Sequence, residues 1–120
     1  MNICNNRLPS IIIKDGVISL KKSVTTALGL HPGDVVNFYA DNGELFLYRQ
    51  ANSDVIGDYE GRCLATNKGR SGNLRVYSKA MSNGVLSYCK EDREVRLALG
   101  DKLHHPIIGE CLTIITKLKL

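Results

Sequence analysis

The side chains best able to hold a metal or act as nucleophiles are three histidines and four cysteines. Cys4, Cys63, Cys89 and Cys111 are irregularly spaced, with no CxxC pair and no histidine at zinc-ligand spacing, which argues against structural zinc. They read as reduced thiols, although an even count would also permit two disulfides in an exported protein. His104 and His105 are adjacent, and neighbours on an extended segment point to opposite sides, so they do not share one metal. Pro106 directly after them suggests a loop. His31 lies in a turn with no second ligand near it in sequence. No serine, cysteine or carboxylate pair has the arrangement of a nucleophile with its base. No enzyme activity, metal or cofactor is therefore expected.

Positive charge is the other chemical resource. The chain has a net charge of +4, compatible with a nucleic-acid partner. Seven of its 16 lysines and arginines lie in or beside the two opening hairpins and helix starts: Lys14, Lys21 and Lys22, then Lys68, Arg70, Arg75 and Lys79. The segment NKGRSG at 67–72 has glycines and cations but lacks the GxxxxGK[ST] spacing of a nucleotide loop, so it reads as a hairpin connection or a basic loop reaching a phosphate backbone. Residues 90–94, KEDRE, form a mixed charge cluster of the kind found on exposed turns.

The elements that must position these cations are legible in outline. Residues 11–20 pair a β-branched run, III, with VISL across Asp15-Gly16, a two-residue hairpin turn. Val24, Ala27 and Leu28 make the apolar stripe of a short helix, with Lys21, Lys22, Thr25 and Thr26 as polar positions around it. Gly29 ends the helix, and His31-Pro32-Gly33-Asp34 makes a turn. Strands at 35–40 and 44–49 then form a second hairpin across Asp41-Asn42-Gly43. Residues 50–60 are polar and read as a connector.

The second half repeats the first. LRVYSKAMSNGVL at 74–86 lies on ISLKKSVTTALGL at 18–30 without a gap, at an offset of 56 residues. Residues 62–65 and 74–77 supply its opening hairpin, 94–99 and 110–117 its closing one, with 100–109 as a loop. Asn83 and Gly84 stand where the first helix has Ala27 and Leu28, so a shorter or irregular second helix is expected. Neither half covers its own apolar faces, so both belong to one domain: a repeat at 8–50, a connector at 51–60 and a diverged repeat at 61–120. At 43% hydrophobic the chain can bury one core of that size. It has no visible signal peptide and no run long enough for a membrane helix, which points to a cytoplasmic protein without a membrane partner.

GVISL followed by ALGLHPGDVVNFYADNGELFLYR, at 16–49, resembles the AbrB family of swapped-hairpin domains found in bacterial transition-state regulators and MazE-type antitoxins. Leu28-Gly29-Leu30 and Pro32-Gly33-Asp34 match its LGL-x-PGD core. The resemblance implies a mainly β, swapped-hairpin (cradle-loop) barrel built from two hairpin-helix-hairpin repeats in one chain, as in MraZ-type fused members. It also implies DNA as partner and transcription regulation as function. Relatives that bind DNA use an arginine after the first hairpin glycine and a pair in the helix; those places fall here on Val17, Thr25 and Thr26, and on Asn73, Met81 and Ser82. None is basic. The expected DNA-binding residues are instead Lys14, Lys21, Lys22, Lys68, Arg70, Arg75 and Lys79. The alternative from another class is a protein-interaction module, antitoxin-like or an assembly component, presenting residues 50–60 and 100–109. A small-molecule-binding barrel is a third reading, and a homodimer or higher oligomer is compatible with all of them.

Overall fold

A computed structural model describes residues 10–50, 59–65 and 72–119. Strand β1 (Ser10–Lys14) turns through Asp15-Gly16 into β2 (Val17–Leu20), with both turn residues at positive φ, as a primed hairpin turn requires. Helix α1 (Lys22–Leu28) ends at Gly29, which is left-handed at φ 65°. The strands β3 (Val35–Asp41) and β4 (Glu44–Arg49) form the second hairpin across Asn42-Gly43, again with both residues at positive φ. Then come β5 (Tyr59–Arg62), β6 (Leu64–Ala65), β7 (Leu74–Tyr77), α2 (Lys79–Tyr88), β8 (Glu94–His105) and β9 (Gly109–Lys119).

All pairings are antiparallel and join one sheet in the order β5-β3-β4-β9-β8-β1-β2-β7-β6. The sheet is curled. Its two edge strands, β5 and β6, are separated in the chain by Cys63 alone. Cys63 is gripped from both sides by the Pro-Gly-Asp turn: Gly33 N–H donates to its carbonyl at 2.8 Å, and its own N–H donates to the Asp34 carbonyl at 2.7 Å. Asp34 in turn accepts the His31 N–H through Oδ2 at 2.8 Å, which holds the turn closed. The expected strand at 62–65 is thus broken at its second residue, because these two bonds turn Cys63 toward the α1–β3 corner.

The concave side holds one apolar core that includes Ile11, Ile13, Ile18, Leu20, Val24, Leu47, Val76, Met81, Leu97 and Leu112. Both helices contribute to it, α1 through Val24 and Leu28 and α2 through Met81, Val85 and Leu86. Cys63, Cys89 and Cys111 are buried free thiols. Burial, with the nearby Asp34 charge adding to it, pushes the Cys63 thiol up to about 11.

Three expectations change. Helix α2 has ten residues against seven in α1, so the second helix is the longer one. Ser78 caps it by accepting the Met81 N–H at 3.1 Å, and the buried row Met81, Ser82, Val85 and Leu86 outweighs the roughly 1 kcal/mol that Gly84 costs. Residues 100–105 are strand rather than loop. Lys102, Leu103, His104 and His105 pair with Leu112, Cys111, Glu110 and Gly109, and register shifts after Leu97 and Leu99 bend β8 on the way. Finally, Tyr59 and Glu60, assigned to a connector, start β5, while residues 51–58 lie outside the described residues.

The bend in β8 creates a second, smaller core of Phe46, Tyr48, Ile108 and Cys111, with Tyr39 packed against it. His105 is buried beside it, edge-on to Tyr39 and Phe46 at centroid distances of 5.5 and 5.1 Å. Ile107 N–H donates to His105 Nδ1 at 3.0 Å, so Nε2 carries the proton directed at Asp41 Oδ2, also 3.0 Å away. His104, its neighbour, is exposed. The histidines therefore do point apart, and His105 pins the β8–β9 turn to the end of β3.

Candidate functional site

Each opening hairpin seats its glycine on the start of the helix from the other half. On one side Ser78 N–H donates to the Gly16 carbonyl at 2.9 Å, and a Cβ on Gly16 would lie 3.0 Å from Lys79 Cγ. On the other, a Cβ on Gly72 would lie 3.0 Å from Lys22 Cγ. Gly16 and Gly72 have φ of +80° and +78°, and only glycine meets both demands without strain. Lys22 N–H donates to Asn73 Oδ1 at 2.8 Å, and Thr25 Oγ1 donates to the Gly72 carbonyl at 2.8 Å. Thr25, one of the polar positions around α1, is consequently buried.

These joints fix where the expected cations lie. Lys22 and Lys79 are both first residues of their helices and both exposed. Lys21 precedes Lys22, half-buried. Lys14 ends β1 and reaches Glu94 on β8 at 3.7 Å. Arg75 stands exposed in the middle of β7. Lys68 and Arg70 lie outside the described residues. The structure thus brings Lys14 and Lys79 to the Asp15-Gly16 turn, and Lys21 and Lys22 to Gly72-Asn73. Arg75 lies on the sheet between them.

The two ends differ in electrostatics. A groove of about 420 Å³ beside α1 is lined by Lys22, Thr25, Thr26, His31, Gly72 and Asn73, among others, with no carboxylate among the described residues. The matching groove beside α2, of about 500 Å³, has Asp15 and Asp92 alongside Lys79 and Arg93. The α1 end is therefore the more strongly positive of the two.

No family model matches the chain, and no similar protein is found among curated proteins or solved structures. The site therefore stands on its own geometry. Of the six positions where the resemblance would place arginine, Thr25, Met81 and Ser82 are buried, at the helix–hairpin joint or in the core, and a guanidinium there would not reach solvent. Among the described residues no group of three or more histidine, cysteine or acidic side chains could hold a metal, and no helix is long and apolar enough to cross a membrane.

Sequence reasoning passed over Arg96 and Tyr77. Across the sheet, Arg96 on β8 is in register with Ile12, Ile12 with Ser19, Ser19 with Arg75 and Arg75 with Leu64. Residues opposite one another on antiparallel strands share a face, and here it is the convex, solvent face. In the adjoining row Glu94, Lys14, Val17 and Tyr77 are in register, with Tyr77 59% exposed. Period-two alternation on β8, with Val95 and Leu97 buried, was the signal that placed Arg96 outward; which strand it would lie beside was not in the sequence.

Proposed function

We propose that this chain is a non-catalytic, DNA-binding regulator built as an AbrB-like barrel of two interlocked repeats. The observation that carries the reading is the reciprocal seating of Gly16 on the start of α2 and Gly72 on the start of α1, which brings the first lysine of each helix, Lys79 and Lys22, to the hairpin glycine of the other half. The register supports it. An offset of 56 residues carries the pair Ile18–Val76 onto Leu74–Leu20, also a pair, and carries Ser19–Arg75 onto itself. Likewise β1 lies between β2 of its own half and β8 of the other, and the β5–β6 segment lies between β7 and β3. Such a twofold arrangement closes the curled sheet at Cys63 and turns cations from both halves toward one surface.

Lysine and arginine on that surface neutralise phosphates and release counterions, which supplies affinity without base recognition. The test replaces Lys21, Lys22, Lys68 and Arg70 together by glutamine and measures binding to a random-sequence duplex across a salt series. A weaker complex with a shallower salt slope is expected; unchanged affinity and slope would remove these residues from the interface.

A protein-interaction module is the second reading. It draws on Leu103 and Ile107, 41% and 50% exposed at the β8–β9 hairpin end, within the segment expected to contact a partner. Loss of a captured partner on replacing these two by serine, with no DNA binding at any salt, would favour it.

A further inference from the structure

Resting on the DNA reading above, we infer that the phosphate contacts centre on the solvent face of β8-β1-β2-β7, with Arg75 and Arg96 as a pair of phosphate ligands. The helix-start lysines lie at the rim of that face. Arg96 and Arg75 occupy the same cross-strand row with only Ile12 and Ser19 between them. Three interstrand steps separate them, about 14 Å at about 4.8 Å each. That span is close to the roughly 12 Å width of a B-DNA major groove, so two extended guanidiniums can reach phosphates on either side of it.

Charge accounting favours these two over their neighbours. Lys14 shares its charge with Glu94 at 3.7 Å, and Lys79 borders a groove holding Asp15 and Asp92. Neither Arg75 nor Arg96 has an ion-pair partner among the described residues. Tyr77, two residues along β7 from Arg75 and on the same face, offers a phenol hydroxyl beside them as a further donor to a phosphate oxygen. Arginine suits the role because its planar fork donates two parallel hydrogen bonds to a phosphate and holds its charge at any working pH.

The experiment uses the full chain and a fluorescent random-sequence duplex, titrated by anisotropy at stepped salt for wild type, Arg75→Gln/Arg96→Gln and Tyr77→Phe. Thermal melting of each variant checks the fold, which two exposed side chains should leave intact. The double variant is expected to lose about 1.8 from the magnitude of the salt slope, at about 0.9 per phosphate, and to bind several-fold or more weakly at low salt. Tyr77→Phe should weaken binding a few-fold with the slope unchanged, since it removes a neutral donor. A wild type that binds while the double variant keeps its affinity and slope overturns this assignment and leaves the DNA reading standing. A wild type that binds no duplex at low salt overturns both.

Discussion

At the scale of single residues, Cys63 is the clearest case of a side chain whose chemistry is set by where the backbone leaves it. Its thiol is fully buried at the point where the two sheet edges meet, and burial together with Asp34 raises it from about 9 to about 11. At pH 8 such a thiol is thiolate on the order of one part in a thousand, so it should resist iodoacetamide in the native protein and react once urea unfolds the chain. The shift also has a thermodynamic sign. Between about 9 and about 11 the unfolded thiol has lost its proton while the folded one retains it, so the folded state binds more protons and stability falls as pH rises through that window. Urea midpoints measured from pH 8 to 11 should drop more steeply for wild type than for Cys63→Ala; parallel curves would contradict the assignment. From sequence, Cys63 was identifiable as a reduced thiol. Its burial was not, because that depends on the Pro-Gly-Asp turn gripping it from a distant part of the chain.

At the scale of elements, the two helix–hairpin joints are similar in shape but not in bonding. Counted from the first helical residues, Lys22 and Lys79, Thr25 and Ser82 are each the fourth, although the 56-residue repeat sets Thr25 against Met81. Thr25 Oγ1 shares its proton between the Gly72 carbonyl at 2.8 Å and the Lys22 carbonyl at 3.0 Å, whereas the Gly16 carbonyl is already taken by the Ser78 N–H, and buried Ser82 Oγ has no hydrogen-bond partner among the described residues. Thr25→Val should therefore cost about 1 kcal/mol, since it removes the hydroxyl that ties α1 to the Gly72 carbonyl. Ser82→Ala should be neutral or stabilising, because it removes a polar atom already desolvated without compensation. Denaturant melts of both variants check the contrast, and a Ser82→Ala loss as large as that of Thr25→Val would contradict it.

The same joints explain how far local sequence could be read. The hairpin turning at Asp15-Gly16 and the Gly29 stop follow from residues adjacent in the chain and stand as expected, while the turn expected over Asp41-Asn42-Gly43 is tighter, since Asp41 pairs with Glu44 as the end of β3. Thr25 read only as a polar position around α1 because the glycine that buries it lies 47 positions away. Residues 100–105 read as a loop because Asp101, Lys102, Leu103 and His104 are exposed on a strand that has left β1 behind and pairs with β9. Helix α2 read as weak because propensity counts Gly84 but not the core that Met81, Val85 and Leu86 fill.

For the whole molecule, the curled sheet puts Arg75 and Arg96 on one convex surface, with Lys21 and Lys22 beside it at Gly72-Asn73, while its apolar residues fill the concave side. Of that surface, Lys21, Lys22 and Arg75 were legible as basic residues near two opening hairpins. Arg96 was not, because only the β1–β8 pairing brings it into the row. The proposed DNA contact is a property of this assembled surface, and the direct measurement is the affinity of the wild-type chain for a random duplex as salt is raised. Lys21, Lys22, Arg75 and Arg96 at one phosphate each predict saturable binding at low salt and a log–log slope of about −3.6, at about 0.9 per phosphate, and steeper if Lys68 and Arg70 also engage. Absence of binding at about 20 mM salt, where each such contact is strongest, would contradict the proposed function.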